Sequence, residues 1–211
     1  MRHAFAPIEQ NPYDRIADVA ARLFADIGFQ KTTIGDIAHE LHMSPANVYR
    51  FFASKAEINN EVGRRLLAEM EVAVHDSINN SVSPSDKLRT TMATIERLNA
   101  QRFLSNPKLH ELLERAFTEN WPIVKDHIQK LDKLLAKIIS QGQEAGAFQV
   151  GDCGLAAILV RSGCLKFYHP RVMVEYAEEP EPTLDQMIDF CVAALTLNSC
   201  CAPEGRALAG H

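Results

Sequence analysis

The stretch from Ser44 to Glu57 restricts this chain more than any other. Ser44 offers a hydroxyl N-cap, and Pro45 follows at the first helical position, where its missing N–H costs nothing. The helix they open, about Pro45 to Phe51, has barely begun before Ser54-Lys55-Ala56-Glu57 opens another as a capping box. Isolated helices need roughly 12–15 residues to be even marginally stable in water, so a helix this short must pack on its neighbours at once. Those neighbours are legible. Ile16, Ala20, Leu23, Phe24 and Ile27 recur at three- and four-residue steps between Pro12 and Gly28, and Ile34, Ile37, Ala38 and Leu41 make a second, short helix. The brief turn from Leu41 through His42 and Met43 to Ser44 then predicts a helix-turn-helix whose last helix presents its N-terminal part to a major groove.

Helical periodicity continues beyond. Ile58, Val62, Leu66, Met70 and Val74 fall at steps of four on a longer helix, and Asn79–Ser85 is a polar break. Further helices are expected at about Asp86–Leu104, Lys108–Asn120, Pro122–Ala145, Gly154–Tyr168 and Leu184–Leu197. Glu175–Pro182 reads as an acidic loop and Ala202–His211 as a frayed tail. Sustained apolar/polar alternation is missing, so the predicted fold is all-α, with about nine helices. The expected division is residues 1–60 for the helix-turn-helix and 61–211 for a larger helical domain.

At 211 residues, 46% hydrophobic and 23% charged, the composition is that of a soluble globular chain. No apolar run approaches the ~18 residues of a membrane helix, and Met1–Asn11 has no apolar stretch of the kind an export signal carries. The five cysteines, Cys153, Cys164, Cys191, Cys200 and Cys201, read as reduced cytosolic thiols. The expected location is therefore cytoplasmic, with no membrane partner.

Arg15–Glu61 resembles the DNA-binding domain of TetR-type repressors. The stretches that carry the resemblance are Ile16-Ala17-Asp18-Val19-Ala20-Ala21-Arg22-Leu23-Phe24, Gly28-Phe29-Gln30-Lys31-Thr32-Thr33, Asp36-Ile37-Ala38, Ser44-Pro45-Ala46-Asn47-Val48-Tyr49-Arg50-Phe51-Phe52 and Ser54-Lys55-Ala56-Glu57. They run in register with every turn and cap in place; beyond Asn60 only the family's general layout is shared. The resemblance implies a homodimer on double-stranded operator DNA and a variable helical domain that binds a small effector.

The residue chemistry fits. Asn47 can make a bidentate contact to adenine, and the Ala46 methyl suits a thymine methyl. Thr32 and Thr33 can cap the second helix and also hydrogen-bond phosphate oxygens, or serve as plain helix caps. Tyr49 and Lys55 resemble the family's phosphate-clamping positions. Arg50 can reach phosphate or a guanine edge, and the sequence leaves both open. With Ser44 and Pro45 at the helix start, these residues are the candidate DNA contacts. Phe24, Ile37, Ala38, Val48 and Phe52 are expected core. His39 and His42 share a spacing that can ligate metal, but no third ligand stands near, and they read as surface residues.

In the larger domain, Leu155, Ile158, Leu159, Ser162 and Leu165 on one helix form a candidate dimer face with Leu184, Met187, Ile188, Cys191, Ala194 and Leu195 on another. Across a two-fold axis these would build a four-helix bundle. Met92, Phe103, His110, Phe117, Trp121, Phe167 and Tyr168 are candidate effector contacts, with Ile95, Leu113 and Ile128 as further apolar walls and Glu114 and His127 as further polar ones. The alternative for each is packing within the monomer.

The function expected is a repressor released from a near-palindromic operator by a small, mostly apolar molecule, without cofactor. The resemblance implies that ligand would act by shifting the fourth helix. Alternatives are the same regulator responding to thiol oxidation or to a metal, and a helical interaction module. Cys153 and Cys164 stand about three turns apart on one helix, too far to bridge, while Cys200 and Cys201 could link subunits. No Gly-rich phosphate loop, Gly-x-Ser-x-Gly elbow or His-Glu-x-x-His run points to an enzyme. The net charge of −5 excludes a bulk-charge coat on nucleic acid, but residues 1–65 hold eight Lys+Arg against eight Asp+Glu, so the acidic excess lies wholly beyond them.

Overall fold

The computed structural model describes residues 11–196; Met1–Gln10, Leu197, Cys200, Cys201 and the Ala202–His211 tail lie outside them. Among the described residues there are eleven α-helices and no strand. They are α1 (Pro12–Ile27), α2 (Ile34–Glu40), α3 (Pro45–Tyr49), α4 (Lys55–Ile78), α5 (Pro84–Ser105), α6 (Pro107–Thr118), α7 (Pro122–Glu144), α8 (Cys153–Gly163), α9 (Leu165–Tyr168), α10 (Pro170–Glu175) and α11 (Leu184–Thr196). The helix expected over Gly154–Tyr168 is broken at Cys164 into α8 and α9, and α10, opened by Pro170, was not anticipated. None of these helices is long and apolar enough to cross a membrane.

The chain forms two compact units. Of the described residues, one holds 11–73 with Glu96–His127 and His169–Arg171; the other holds Val74–Ile95, Ile128–Tyr168 and 172–196.

In the first unit the caps decide where each helix begins. The Asn11 carboxamide accepts the Tyr13 N–H, and Gly28, at φ +92, turns the chain out of α1 while its N–H donates to the Phe24 carbonyl. Thr33 and Asp36 cap α2 reciprocally, and the Ser44 hydroxyl accepts the Asn47 N–H to start α3. At α4 the Ser54 hydroxyl accepts the Glu57 N–H at 3.3 Å, but the Glu57 carboxylate reaches the Ala53 N–H at 2.7 Å, one residue earlier than the capping-box expectation. The five residues of α3 survive because Val48 is buried with Ile16, Phe24, Ile37, Ala38, Phe52 and Ile58. Tyr13 stacks on Phe52 at 4.3 Å between centroids. Each fully buried large side chain contributes about 1.5–3 kcal/mol, far more than helix propensity gives α3 alone.

Two further elements hold α1. From α4, Arg65 bonds Asp14 at 2.6 Å, Asp18 at 2.7 Å and Glu61 at 2.7 Å, and Arg64 adds two more bonds to Glu61, one to each carboxylate oxygen. Burial alone pushes the Glu61 carboxyl up, but the two guanidinium groups outweigh it and bring its pKa down to about 2. From α6, the Lys108 ammonium donates to the Asp26 carbonyl in the last turn of α1, and the Gln30 amide donates to Glu111 at 2.9 Å.

The second unit is built on Leu88, Met92, Leu135, Ile138, Ile139 and Phe148. The Phe148 ring lies directly on Gly142 of α7; a β-carbon there would stand 2.1 Å from the ring, so only glycine fits. Arg89 pairs with Asp185 and Asp189 on α11, and Arg161 of α8 bonds both Asp132 and the Tyr168 hydroxyl.

Candidate nucleic-acid interface

α3 stands at the surface with Ser44, Pro45, Ala46, Asn47, Tyr49 and Arg50 all exposed, and only Val48 turned inward. This follows from its length: one turn and a half has room for a single inward anchor. A groove of about 480 Å³ lies beside it, lined by Thr33, Ile34, Gly35, Pro45, Tyr49, Ser54 and Lys55 among others. The start of α2, the start of α3 and the start of α4 thus converge, bringing a phenol, an ammonium and three helix N-termini to one surface. Partial positive charge at helix starts favours a phosphate there.

Lys55 is placed by its own chemistry. Its Nζ donates to the Gln30 carbonyl at 3.0 Å, which uses one of three ammonium protons. Burial lowers its pKa, and Asp36 pulls the other way. Asp36 itself is held below the usual carboxylate range by the Thr33 backbone N–H and hydroxyl.

Two of the expected contacts make hydrogen bonds within the chain. Thr32 is fully buried, and its hydroxyl donates to the Gly28 carbonyl at 2.9 Å, so it fastens the turn after α1 and has no hydroxyl to offer a phosphate. Thr33 is exposed, but its N–H and hydroxyl both donate to Asp36, each at 2.8 Å. It acts as the cap of α2, a role common to both readings of the sequence. Lys31 is exposed beside them, as are His39 and His42. His42 adopts φ +55 in the tight turn between α2 and α3, and Phe51 is also exposed. Among the described residues no group of three or more His, Cys, Asp or Glu side chains gathers to hold a metal.

Comparison with known proteins decides what this arrangement is. Residues 16–62 match the family described as "Bacterial regulatory proteins, tetR family", and residues 84–187 match "Tetracyclin repressor-like, C-terminal domain". The chain belongs to the TetR family. It is therefore a DNA-binding transcriptional regulator, and α1–α3 are its DNA-binding head. The HTH-type transcriptional repressor KstR2 of Mycobacterium tuberculosis (strain ATCC 25618 / H37Rv) is 25% identical over 138 residues, covering 64% of this chain and 68% of that protein. The fold is shared with the fatty acid degradation regulator FadR from Bacillus halodurans (TM-score 0.61, 17% identity, 91% of this chain and 98% of that one). It is shared too with AibR, solved in complex with isovaleryl coenzyme A and operator DNA (TM-score 0.53, 21% identity, 88% and 98%).

The remaining expected sites of this TetR-family chain are distributed as follows. In the first unit, His110 is buried and its Nε2–H donates to the Pro170 carbonyl; burial lowers its pKa. Phe103 meets His110 edge-on but is partly exposed, and Phe117 packs edge-on against His127 and His169. The His127 Nδ1 lies 2.9 Å from a Glu71 carboxylate oxygen. Trp121 is half-buried, its indole N–H donating to Glu119 at 2.9 Å. Among these residues the sequence did not single out Arg102, whose Nη1 is buried with no hydrogen-bond partner while Nη2 makes a long bond to the Leu66 carbonyl. In the second unit Met92, Phe167 and Tyr168 are buried.

On the expected dimer face, Leu155, Ile158, Leu159, Ser162 and Leu165 are exposed along one side of α8 and its continuation. Ala194 is exposed and Met187 half-buried, with Cys191 and Leu195 at the floor of a groove of about 670 Å³. Leu184 and Ile188 are buried within the second unit, as are Cys191 and Leu195. Phe190, 72% exposed, is the apolar residue that was missed.

Proposed function

We propose that this chain is a ligand-released repressor, working as a homodimer that sets two heads on a near-palindromic operator. Residues 1–60 read the DNA, and residues 61–211 bind the effector and hold the dimer. The observation that carries the DNA-binding part is the convergence of α3 with Tyr49 and Lys55 around one open groove. Asn47 and Ala46, exposed on α3, read base edges; Tyr49 and Lys55 take phosphate; Arg50 reaches either. Two-fold symmetry then places the recognition helices one DNA turn apart, roughly 34–36 Å.

The dimer reading is supported by the apolar surface of α8 and α11. Leu155, Leu159 and Phe190 stand exposed around the groove there, an arrangement that a helix pair of a second copy covers. The effector reading is supported by polar groups buried in a helical body. Arg102 leaves Nη1 out of water without a partner, and its charge is felt by the buried His110. An effector with a mostly apolar body and an acidic group supplies the bond this guanidinium lacks. Binding weakens DNA affinity by favouring one arrangement of the dimer, to the extent of its differential affinity for the two.

The test is a gel shift with the DNA upstream of the regulated genes. A specific complex at moderate salt, lost on adding the effector, is expected. Absence of any specific complex by the dimer would refute the reading. Isovaleryl coenzyme A, the compound solved with AibR, is a reasonable first probe beside simple fatty acids.

A further inference from the structure

Gln30 stands at the tip of the turn between α1 and α2, exposed together with Lys31. The base of that turn is fixed from within. The Thr32 N–H and hydroxyl both donate to the Gly28 carbonyl, at 3.1 and 2.9 Å, and the buried Phe29 ring meets Phe24 edge-on. The tip is held from outside, by α6. The Gln30 side-chain amide donates to the Glu111 carboxylate at 2.9 Å, across 81 residues of sequence. Glu111 is itself exposed, but Leu112, Leu113 and Ala116 beside it are buried, so α6 is a fixed support. Lys108, three residues earlier on α6, donates to the Asp26 carbonyl at the end of α1.

The main chain of Gln30 has a second partner. Its carbonyl accepts the Lys55 ammonium at 3.0 Å. Lys55 is half-buried and lines the groove between α2, α3 and α4 with Tyr49. A lysine stem has much rotamer freedom, and fixing it before a partner arrives reduces the entropy lost on binding. One ammonium proton is spent on Gln30, and two remain for a phosphate.

We propose, resting on the reading of Lys55 as a phosphate contact, that Gln30 is a positioning residue for DNA binding. Glu111 of α6 fixes the Gln30 side chain, and the Gln30 carbonyl thereby sets Lys55 for the phosphate. The bonds run in series from the Glu111 carboxylate to the Gln30 amide, and from the Gln30 carbonyl to the Lys55 ammonium. Neither Gln30 nor Glu111 has to touch DNA. Positioning and bulk charge make opposite predictions for Glu111. A carboxylate near DNA weakens binding by repulsion, so its removal should tighten the complex if charge alone acts and loosen it if positioning acts.

The test measures affinity by fluorescence anisotropy for a labelled duplex that the wild-type chain selects from a random-sequence pool. Glu111→Ala and Gln30→Ala should each weaken binding by about threefold to tenfold over the two heads of a dimer, the scale of single exposed bonds lost twice. Glu111→Gln keeps an oxygen that accepts the Gln30 amide and should stay within about twofold of wild type. In a Lys55→Ala background, Glu111→Ala should change affinity by less than about twofold, because the group it positions is gone. Stoichiometric titration of each variant counts the active molecules, so a poorly folded fraction is not read as weaker binding. Glu111→Ala binding as tightly as wild type, or more tightly, overturns the proposal. So does an equal loss with and without Lys55, which marks a purely structural role, or a loss in Glu111→Gln as large as in Glu111→Ala. Lys55→Ala binding like wild type at every salt concentration is a separate result, which removes the phosphate reading itself.

Discussion

Replacing Lys55 by alanine separates phosphate binding from base reading. The Lys55 ammonium spends one proton on the Gln30 carbonyl and has two more at the rim of the groove between α2, α3 and α4. If each of two heads places this charge on one phosphate, the variant dimer neutralises two fewer phosphates. Counterion release gives a slope of about −0.9 in log affinity against log salt per phosphate, so the variant slope should be shallower by about 1.8. Between 50 and 200 mM salt the wild-type advantage should therefore shrink by roughly twelvefold, being largest at low salt. The assay is fluorescence anisotropy with operator DNA at four or five salt concentrations, for wild type, Lys55→Ala and Lys55→Arg. Loss of the Gln30 contact alone would lower affinity by the same factor at every salt, so the slope isolates the phosphate contact. Arginine should keep the slope. An unchanged slope in Lys55→Ala refutes the assignment; a change near 0.9 means that only one head engages.

Other changes probe the remaining groups. Asn47→Ala should leave the salt slope intact while lowering discrimination between operator and mismatched DNA by about 1–3 kcal/mol, read by competition with single-base operator variants. Glu61→Gln removes a carboxylate whose pKa falls from 4.5 to about 2 on folding, which corresponds to at most ~3 kcal/mol. That contribution is complete above pH 4.5 and is lost as pH falls toward 2. Urea unfolding at fixed protein concentration should accordingly show a gap between variant and wild type at pH 7 that narrows below pH 4.5; a gap independent of pH contradicts the ionic account. Gly142→Ala drives a methyl into the Phe148 ring and should cost about 1–3 kcal/mol, seen as a lowered melting temperature, although alanine is the better helix former.

The head was legible because its signals are local. A cap, a proline at the first helical position and a left-handed glycine each act within a turn, so Gly28, Thr33 and Ser44 marked helix ends that the structure reproduces. The body was less legible because its decisions are made between helices. The break at Cys164 follows Gly163, whose missing side chain suits the close approach of α11. α11 is apolar around most of its circumference, so periodicity could not say which stripe faces inward. The stripe through Leu184, Ile188, Cys191 and Leu195 does, and Phe190 is left outside. For the effector residues, an apolar side chain at helical spacing signals burial and nothing about whether its neighbours leave room. Arg102 carried no sequence signal at all, since its significance lies in the partner its Nη1 lacks.

The family resemblance implies α4 as the element through which effector binding would move the head, and the packing within the first unit adds a second. α4 grips the first half of α1 through charges, with Arg65 on Asp14 and Asp18. α6 grips its end, with Lys108 on the Asp26 carbonyl and Glu111 on Gln30. Gln30 is also the residue whose carbonyl holds Lys55. A shift of α6 would therefore act on the turn that positions Lys55, the lysine proposed to bind phosphate, without any need to rotate α4. Lys108, Glu111 and Gln30 are polar surface residues far apart in sequence, which is why no periodicity or cap announced them. Physically the two grips are not equivalent. The α4 grip is a multiply bonded ionic cluster around the nearly buried Glu61, costly to break. The α6 grip consists of single exposed bonds, each contributing little on its own. A ligand with only a few kcal/mol of differential affinity would rearrange the second far more readily than the first, so α6 would be the more economical route from the proposed effector to DNA.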